Sequence, residues 1–431
     1  MYDNIIKIYN LESIHNKIES LTTTKSNDQL ILHLRLKKQA MTCPICKTTP
    51  MYFHGYRLKQ IIHSVSIEHK VQIAYQSRRY KCKTCLKVIS ESNPFNQSYE
   101  RLSLNTKLSI LKHLKDIHHN FADTAKLFNV SSQSVINIFD KYIDVRRRKL
   151  GDIISIDEVF TNKMNKYKYA CVIYDFNTSK IIDIIATRHK NYLTNYFLRI
   201  PLEERKGVKA VIIDMWPTYY DVAKLCFPNA LVAIDSFHII KNLNEAIKQI
   251  RIQVQRKYDQ DSSRLEHNDM YYYMLKKFHY FFVKDYENIY DGKIRVSKMK
   301  GYWHKSEILN YLLKIDDSLT RAYRLKEAYR TFNLTANYND CDERLDELIT
   351  EFRNSEFEVY RTFGQTLYTW RDSIKNSFIR INGRRISNGP IESTNNKIKT
   401  IIKNSNGIRY FYRFRNKVLY SINKDIPIIN N

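Results

Sequence analysis

The chain has 431 residues and a formal net charge of +27 at pH 7, with a sequence pI of about 9.6. Such a charge argues against an enzyme of small metabolites and favours a polyanionic partner, of which nucleic acid is the first expectation. No apolar stretch approaches the roughly 20 residues of a membrane-spanning helix, and the amino terminus lacks the pattern of a signal peptide. We therefore expect a cytoplasmic protein without membrane association, long enough for two to four domains or subdomains.

The first predicted domain, residues 1–95, contains two close cysteine pairs. Cys43-Pro-Ile-Cys46 and Cys82-Lys-Thr-Cys85 both have the C-x2-C spacing. Each pair can offer two thiolates from a tight turn to one tetrahedral ion, and in a reducing compartment this pattern favours zinc over disulfides. Four sulfurs would close the coordination shell, so we expect the zinc to be structural. The alternative is four free thiols, with substitute ligands from the intervening histidines His54, His63 and His69.

Residues 96–150 have the spacing of a helix-turn-helix. Two short helical patterns, FADTAKLF and SQSVINIFDKY, are separated by a break at residues 129–131. The second helix of this motif enters the major groove of DNA, so its polar positions are the predicted base contacts: Ser132, Gln133, Ser134 and Asn137. The basic run Arg146, Arg147 and Arg148 adds candidate phosphate contacts. A plain helical hairpin followed by a solvated linker is the alternative interpretation.

From residue 151 the pattern changes to short apolar strands. Three strand candidates, DIISIDEVF, YKYACVIYDF and KIIDIIATRH, are followed by a helix and then by two buried strands that each precede a helix. The last two strands stop at Asp214 and Asp235, so a carboxylate lies at each β-α junction. The order β-β-β-α-β-α-β-α is that of a ribonuclease H-like fold. We assign the first part of this α/β core to residues 151–245.

The remainder of the chain is predicted to be mainly helical. Residues 246–380 are rich in Lys, Arg, Tyr, Glu and Leu and nearly free of Gly and Pro, so we interpret them as a helical insertion in the core. Residues 381–431 would supply a final helix that begins near Pro390, followed by a basic tail. Its basic positions are further candidates for DNA contact: Lys399, Lys403, Arg409 and Arg413.

Three acids in this order suit metal-dependent phosphodiester chemistry. Asp157 lies within the first core strand, Asp214 at a strand end, and Glu392 in the first turn of the final helix. Two divalent ions, Mg²⁺ or Mn²⁺, need carboxylates that converge on one point, because each ion contacts reacting oxygens while keeping an oxygen-rich shell. Each acid also has a structural alternative, as an edge-strand charge or a support for a helix start.

Three segments resemble the signature blocks of the ISL3 family of bacterial insertion-sequence transposases: ISIDEVF, VIIDMWPTYYDVAKLCFPNALVAIDSFHIIKNLN and SNGPIESTNNKIKTIIKNSNGIRYFYRFR. The resemblance implies that Asp157, Asp214 and Glu392 form a DDE triad, with Asp235 and His238 as an accessory D-x2-H pair. The cysteine pairs and the helix-turn-helix are similar to that family's amino-terminal zinc-binding and DNA-binding parts. Ser393 departs from the pattern, since glycine follows the glutamate in many members.

The resemblance implies a DNA transposase. Such an enzyme binds the terminal inverted repeats of its element as a homodimer or larger assembly on paired ends, cuts there, and joins the freed 3′ hydroxyls to target DNA in the bacterial nucleoid. A metal-dependent DNA nuclease, which would lack strand joining, and a repressor derived from a transposase, which would not use the acids, stay open. Asp235 and His238 also fit a buried, hydrogen-bonded core pair.

Overall fold

A computed structural model describes residues 2–26, 29–47, 49, 51–64, 70–97, 99–161, 166–258, 266–289, 292–381, 383–405 and 408–428. The chain divides into two compact units. The first comprises Met1–Arg147, Phe160–Lys168 and Asn396–Asn431, and the second comprises Arg148–Val159 and Tyr169–Asn395. None of the helices in the described part of the chain is long and apolar enough to cross a membrane.

The first unit begins with a short helix and a five-stranded sheet. These elements are α1 (Tyr2–Ile8), β1 (Ile18–Ser26), β2 (Gln29–Leu36), β3 (Met51–Ile62), β4 (Lys70–Cys82) and β5 (Val88–Ser90). The strand order is β1-β2-β4-β3, with β5 paired to β4. Alternate side chains of β2 are buried because a strand turns every second residue to one face, and Leu32 and Leu34 thereby enter the core of this unit.

Three helices follow in the first unit: α2 (Leu104–Leu114), α3 (Phe121–Phe128) and α4 (Ser132–Tyr142). The predicted pair of short helices with a tight turn is confirmed. Asn129 ends α3 in the left-handed conformation with φ of 53°, which Asn tolerates better than most residues. Ser131 then caps α4 by accepting a hydrogen bond from the backbone amide of Ser134.

The second unit is built on a mixed sheet. Its first elements are β6 (Ile153–Phe160), β7 (Tyr169–Asp175), β8 (Lys180–Ile185), α5 (Lys190–Leu198), α6 (Leu202–Lys206), β9 (Ala210–Ile213), α7 (Pro217–Cys226), β10 (Leu231–Ile234) and α8 (Ser236–Lys257). The predicted succession of strands and helices is confirmed, with the short α6 as an addition. The sheet order is β10-β9-β6-β7-β8. β6, β9 and β10 are parallel, whereas β7 and β8 pair antiparallel.

The rest of the chain is mostly helical, as predicted. Its elements are α9 (Glu266–Lys277), β11 (Lys293–Val296), β12 (Gly301–His304), α10 (Lys305–Lys314), α11 (Asp317–Thr335), α12 (Cys341–Arg353), α13 (Glu358–Thr369), α14 (Arg371–Asn376), β13 (Arg380–Ile381), β14 (Arg384–Arg385), α15 (Gly389–Asn404) and α16 (Phe411–Ile422). The β11-β12 hairpin was not predicted. Its residues 293–296 alternate in burial with a period of two, as expected of a strand.

One apolar core joins the sheet and the helical region of the second unit. Ile213 on β9 and Leu243 on α8 belong to the same buried cluster as Leu309 on α10 and Phe352 on α12. The helix α8 also runs without a break from the end of β10 to Lys257. The helical region is therefore packed against the sheet, and it supports the strand ends at which the candidate catalytic acids lie.

Candidate active site

Three aspartates form one row near the carboxyl ends of the parallel strands of the mixed sheet. Ile156 of β6 pairs with Ile213 of β9, which pairs with Ile234 of β10, and the next residue of each strand is an aspartate. Because the three strands are parallel and in register, Asp157, Asp214 and Asp235 lie side by side. Carboxyl ends of parallel strands are where α/β sheets place their ligands.

The alternative structural roles of two aspartates do not match this geometry. β6 is the central strand of the sheet, so Asp157 is not part of an edge-strand charge pair. Trp216, and not Asp214, is the residue before the first turn of α7, and no side chain caps that helix. Asp235 precedes α8 but makes no capping hydrogen bond with its side chain. Asp214 therefore does not act as the cap of α7.

The first turns of two helices complete the site. Asp235, His238 of α8 and Glu392 of α15 each offer one ligand atom, and these atoms lie within 4.8 Å of one another. His238 also connects to the next aspartate, since its Nε2 lies 3.1 Å from Oδ1 of Asp214. Among the described residues, Glu392, Asp235 and His238 are thus close enough together to bind one cation. Asp157 and Asp214 lie beside this group.

Burial and mutual repulsion raise the pKa values of the acids. Burial raises the pKa of Asp157 to about 7, and the neighbouring charge of Asp214 adds to the shift. Burial likewise raises the pKa of Asp214 to about 7, with Glu158, Asp235 and Glu392 adding repulsion against the stabilising amide of Asn388. The pKa of Asp235 is also raised by burial. Without a cation, these carboxylates are costly to ionise together.

Two asparagines that we did not predict hold the acids in place. Nδ2 of Asn388 donates to Asp214 at 3.0 Å, and the backbone amide of Asn388 lies 3.4 Å from Oδ1 of Asp235. Nδ2 of Asn395 donates to Asp157 at 2.7 Å. The Oδ1 atoms of both asparagines are buried and accept no hydrogen bond from any described residue. The spacing offered a signal, since Asn395 follows Glu392 by three positions and shares its helix face.

An arginine that sequence reasoning also missed lies beside the acid row. Nη1 of Arg188 donates to Glu158 at 2.8 Å, next in sequence to Asp157. Its guanidinium lies 4.2 Å from the ring centre of Tyr169 and 4.8 Å from that of Trp216. Two aromatic faces and an ion pair fix the position of this cation. Glu158 is therefore engaged by Arg188.

The donor set fits a hard divalent cation. Carboxylate oxygens dominate it, one imidazole adds a nitrogen, and the unpaired Oδ1 atoms of Asn388 and Asn395 are two further oxygens within the same site. Mg²⁺ and Mn²⁺ take such oxygen ligands. A cation would also relieve the repulsion that raises the pKa values of Asp157 and Asp214.

The four paired cysteines of the first unit converge. Their sulfurs lie within 4.8 Å of one another, with Cys43 3.6 Å from Cys85 and Cys46 3.4 Å from Cys82. The residue after each pair, Lys47 or Leu86, has a left-handed φ of 58° or 60°, so both pairs form the same turn. A cluster of four sulfurs can hold a metal ion, and a tetrahedral zinc suits it best.

The histidines considered as substitute ligands are not in this sulfur cluster. His63 is buried, and its two ring nitrogens lie 2.8 Å from Ser103 Oγ and 2.7 Å from the carbonyl oxygen of Tyr9. His54 is exposed and does not belong to the group, and His69 lies outside the described residues. The sulfur cluster is therefore complete without histidine.

The predicted DNA contacts of the first unit are mostly accessible. Gln133 and Asn137 are exposed on α4, where Nε2 of Gln133 donates to Oδ1 of Asn137 at 2.7 Å. Ser132 is exposed and Ser134 is half-buried, whereas Val135 and Phe139 on the opposite face are fully buried. The helix thus presents a polar face to solvent.

The predicted basic contacts divide into exposed and engaged positions. Arg146, Lys399, Lys403 and Arg409 are exposed, and Arg147 and Arg148 are half-buried. Arg413 is engaged, because its Nε donates to the carboxylate of Asp140 on α4 at 2.9 Å. Arg413 therefore has an acidic partner within the first unit.

Comparison with known proteins agrees with the site. Residues 154–418, more than half of the chain, match the model of a transposase family, and the matched span contains the aspartate row, His238 and Glu392. The match places the protein among the DDE transposases. Within that class, the chain belongs to the ISL3 family.

A curated relative supports the same assignment. The chain is 22% identical over 242 residues to the transposase for insertion sequence element IS1001 of Bordetella parapertussis. The alignment covers 54% of this chain and 57% of that relative, so the chain spans less than two thirds of the relative's length.

Proposed function

We propose that the protein binds the terminal inverted repeats of an insertion sequence, cleaves DNA at the element ends, and joins the ends to target DNA. The in-register row of Asp157, Asp214 and Asp235, completed by Glu392 and His238, is the observation that carries this proposal. Phosphodiester cleavage and transfer that depend on divalent metal ions use acids that converge in this manner. The protein would act in the cytoplasm on nucleoid DNA, as a homodimer or larger assembly on paired ends.

The proposed catalytic core is ribonuclease H-like. The sheet order β10-β9-β6-β7-β8, with three parallel strands next to an antiparallel pair, supports this assignment. Residues 246–380, which begin within α8 and end before α15, would be an insertion, since the first turns of both helices contribute ligands to the same site. Residues 1–95 and 96–150 would be the zinc-binding and helix-turn-helix domains.

The acids would hold two Mg²⁺ or Mn²⁺ ions. Asp157, Asp214 and Glu392 are the proposed main ligands. Asp235 and His238, whose ligand atoms converge with that of Glu392, are the proposed additional ones. When bound, such ions polarise phosphoryl oxygens and activate the attacking hydroxyl. In the first unit, Cys43, Cys46, Cys82 and Cys85 would hold one structural zinc ion.

Other side chains of the protein orient the carboxylates and place positive charge or proton donors next to them. The amides of Asn388 and Asn395 fix the rotamers of Asp214 and Asp157 by donating one hydrogen bond to each. His238 lies close enough to hold a proton against Asp214 through its Nε2. Arg188 supplies positive charge next to Glu158, where it would face the phosphate backbone of a bound strand.

DNA recognition is proposed for α4 of the first unit. The exposed Gln133 and Asn137 can contact base edges in a major groove, because amide side chains pair with adenine there. Arg146 and the exposed lysines of α15 would contact phosphates and set the register.

The test uses duplexes that contain the inverted repeats flanking the gene, together with a supercoiled target plasmid and Mg²⁺. The proposal predicts cleavage at the repeat boundary and joined products by the wild-type protein. Asp214→Asn should bind the repeat and form neither product. Cleavage without joining would identify a nuclease instead, and repeat binding with no product from the wild-type protein would identify a repressor.

A further inference from the structure

A β-hairpin in the second unit has one apolar and one polar face. β11 and β12 pair antiparallel, with Ile294 opposite Trp303 and Arg295 opposite Tyr302. Opposite residues share a face of the hairpin, and the faces alternate along each strand. Ile294 and Trp303 pack against the apolar core of the unit. Arg295 and Tyr302 therefore lie on the outer face, where both are exposed.

The outer face combines positive charge with an exposed aromatic ring. Residues 293–306 include Lys293, Arg295, Lys298, Lys300 and Lys305 and contain neither Asp nor Glu. Within the described part of the chain, no carboxylate pairs with Lys293, Arg295 or Lys300, whereas Lys298 contacts Asp269. Tyr302 is 71% exposed. Burial in the core does not explain these residues, since the core takes the opposite face of the hairpin.

The last turns of α9 extend this surface. Nζ of Lys298 lies 5.2 Å from the ring centre of Tyr273, so the hairpin turn contacts α9. Lys276 and Lys277 are exposed at the end of that helix, and each lies 5.2 Å from a tyrosine ring centre of the preceding turn. These contacts hold the lysine side chains in place, and their ammonium groups stay accessible.

We propose that this surface is a second DNA-binding site, which contacts the phosphates of duplex DNA without reading its sequence. We call it the hairpin face, formed by Lys276, Lys277, Lys293, Arg295, Lys300 and Tyr302. The inference rests on the proposed function for the choice of DNA as partner. Lys and Arg side chains neutralise phosphates, Tyr hydroxyls donate to them, and a two-stranded ribbon fits a groove of B-form DNA.

Charge complementarity favours DNA over a second copy of this chain as the partner of the hairpin face. A second copy would offer the acidic side of α12, which contains Glu343, Asp346, Glu347 and Glu351. Asp346 already pairs with Arg371 through hydrogen bonds of 2.6 and 2.7 Å, which lowers the charge that α12 presents. Duplex DNA offers a negative charge on every phosphate, and the release of its condensed counterions favours binding by Lys and Arg.

The first experiment measures DNA affinity of the full-length protein as a function of salt. In the variant Lys293→Gln/Arg295→Gln/Lys300→Gln, affinity should fall by a similar factor for repeat and random duplexes. The plot of the logarithm of the association constant against the logarithm of salt concentration should become less steep, by about 0.9 for each phosphate that the variant no longer neutralises. The matched control, Lys224→Gln/Lys314→Gln/Arg324→Gln, removes equal charge from exposed positions elsewhere in the unit and should keep the wild-type slope.

A second measurement needs no substitution. Acetylation of the wild-type protein, quantified at each lysine, should show protection of Lys293 and Lys300 by random duplex DNA and no protection of Lys224. Unchanged affinity, salt slope and acetylation would overturn the inference. A variant that loses self-association and keeps DNA binding would overturn it in favour of the second copy.

The two proposals fail separately. If the wild-type protein joins DNA ends but the hairpin variant keeps its affinity and salt slope, the second site is wrong and the transposase proposal stands. If the hairpin variant loses affinity for duplex DNA but the wild-type protein never cuts or joins, the second site stands and the catalytic proposal is wrong.

Discussion

The cysteine cluster and the acid site both gather side chains that suit a cation, but they are assembled differently. The cluster takes its four sulfurs from two identical turns, each encoded by four consecutive residues. The acid site takes its groups from three parallel strands and two helices, between Asp157 and Glu392. Soft ligands in a closed set suit a structural ion, whereas carboxylates in an open row suit ions that must also contact a substrate.

Both sites hold protons that a cation would displace. Although the backbone amide of Lys87 favours the Cys85 thiolate, desolvation and contacts with the other sulfurs raise the pKa of Cys85 to about 11. Burial raises the pKa values of Asp157 and Asp214 to about 7. Metal binding should therefore release protons at both sites. Near neutral pH, the metal affinity of the acid site should depend on pH much more strongly than the affinity of an exposed carboxylate site does.

The largest expected effect is on folding of the first unit. Cys82→Ser should lose zinc and destabilise that unit by about 5 kcal/mol or more, because a structural zinc contributes folding free energy directly. Metal content and thermal unfolding measure this. The control is Cys226→Ser, which replaces a buried cysteine outside the cluster, and this variant should keep the zinc of the first unit. Full zinc content in the Cys82 variant would contradict the proposed ligand set.

Next in size is the loss of chemistry at the acid site. Asp214→Asn should reduce end cleavage by about 10³-fold or more while repeat binding stays intact, because the amide keeps the shape and removes the charge. Adding Asp157→Asn should cost little further, since ligands of one cluster act as a unit. Gel assays of cleavage and binding measure both. Independent, multiplying losses would show that the two aspartates do not share a site.

The acid site should also make stability depend on pH when metal is removed. Folding raises the pKa values of Asp157 and Asp214 from 3.8 to about 7, so the folded state binds protons more tightly. The contribution of this pair to stability in EDTA should therefore be full below about pH 4 and be lost as pH rises from 4 through about 7, by on the order of a few kcal/mol. Denaturant unfolding of wild type and Asp214→Asn measures this. A wild-type pH dependence no steeper than that of the variant would contradict the raised pKa of Asp214.

Smaller effects are expected from the asparagines that hold the acids. Asn388→Ala and Asn395→Ala should each reduce cleavage by about 10- to 100-fold and raise the Mg²⁺ concentration required, as loss of an outer-shell partner does. Asn396→Ala is the matched control, because Asn396 is exposed on the same helix. Equal activity of the Asn395 and Asn396 variants would remove the positioning role.

Sequence patterns predicted the local features of the molecule and missed the features that depend on tertiary contacts. The turns around the cysteine pairs and the break between α3 and α4 are encoded within a few residues, so their prediction from spacing succeeded. The aspartates at two strand ends were predicted because an apolar run stops at each. The register that aligns Asp157 with them is set by pairing between distant strands.

Other parts of the site carry no periodic signal. Asn388 and Asn395 are polar residues near a helix start, where Asn is common for reasons of capping alone. Arg188 reaches Glu158 across the sheet from a separate loop, so neither residue indicates the other in sequence. The β11-β12 hairpin is only four residues per strand, too short to interrupt the helical pattern of its surroundings.

Metal-dependent cleavage by Asp214→Cys tests the central claim, that the aspartate row binds the catalytic cations, most directly. A thiolate is a poor ligand for Mg²⁺ and a better one for the softer Mn²⁺. We expect the variant to be inactive with Mg²⁺ and partly active with Mn²⁺, while Asp214→Ala stays inactive with both and the wild-type protein cleaves with either. Equal cleavage by the variant and the wild-type protein in Mg²⁺ would show that Asp214 is not a metal ligand.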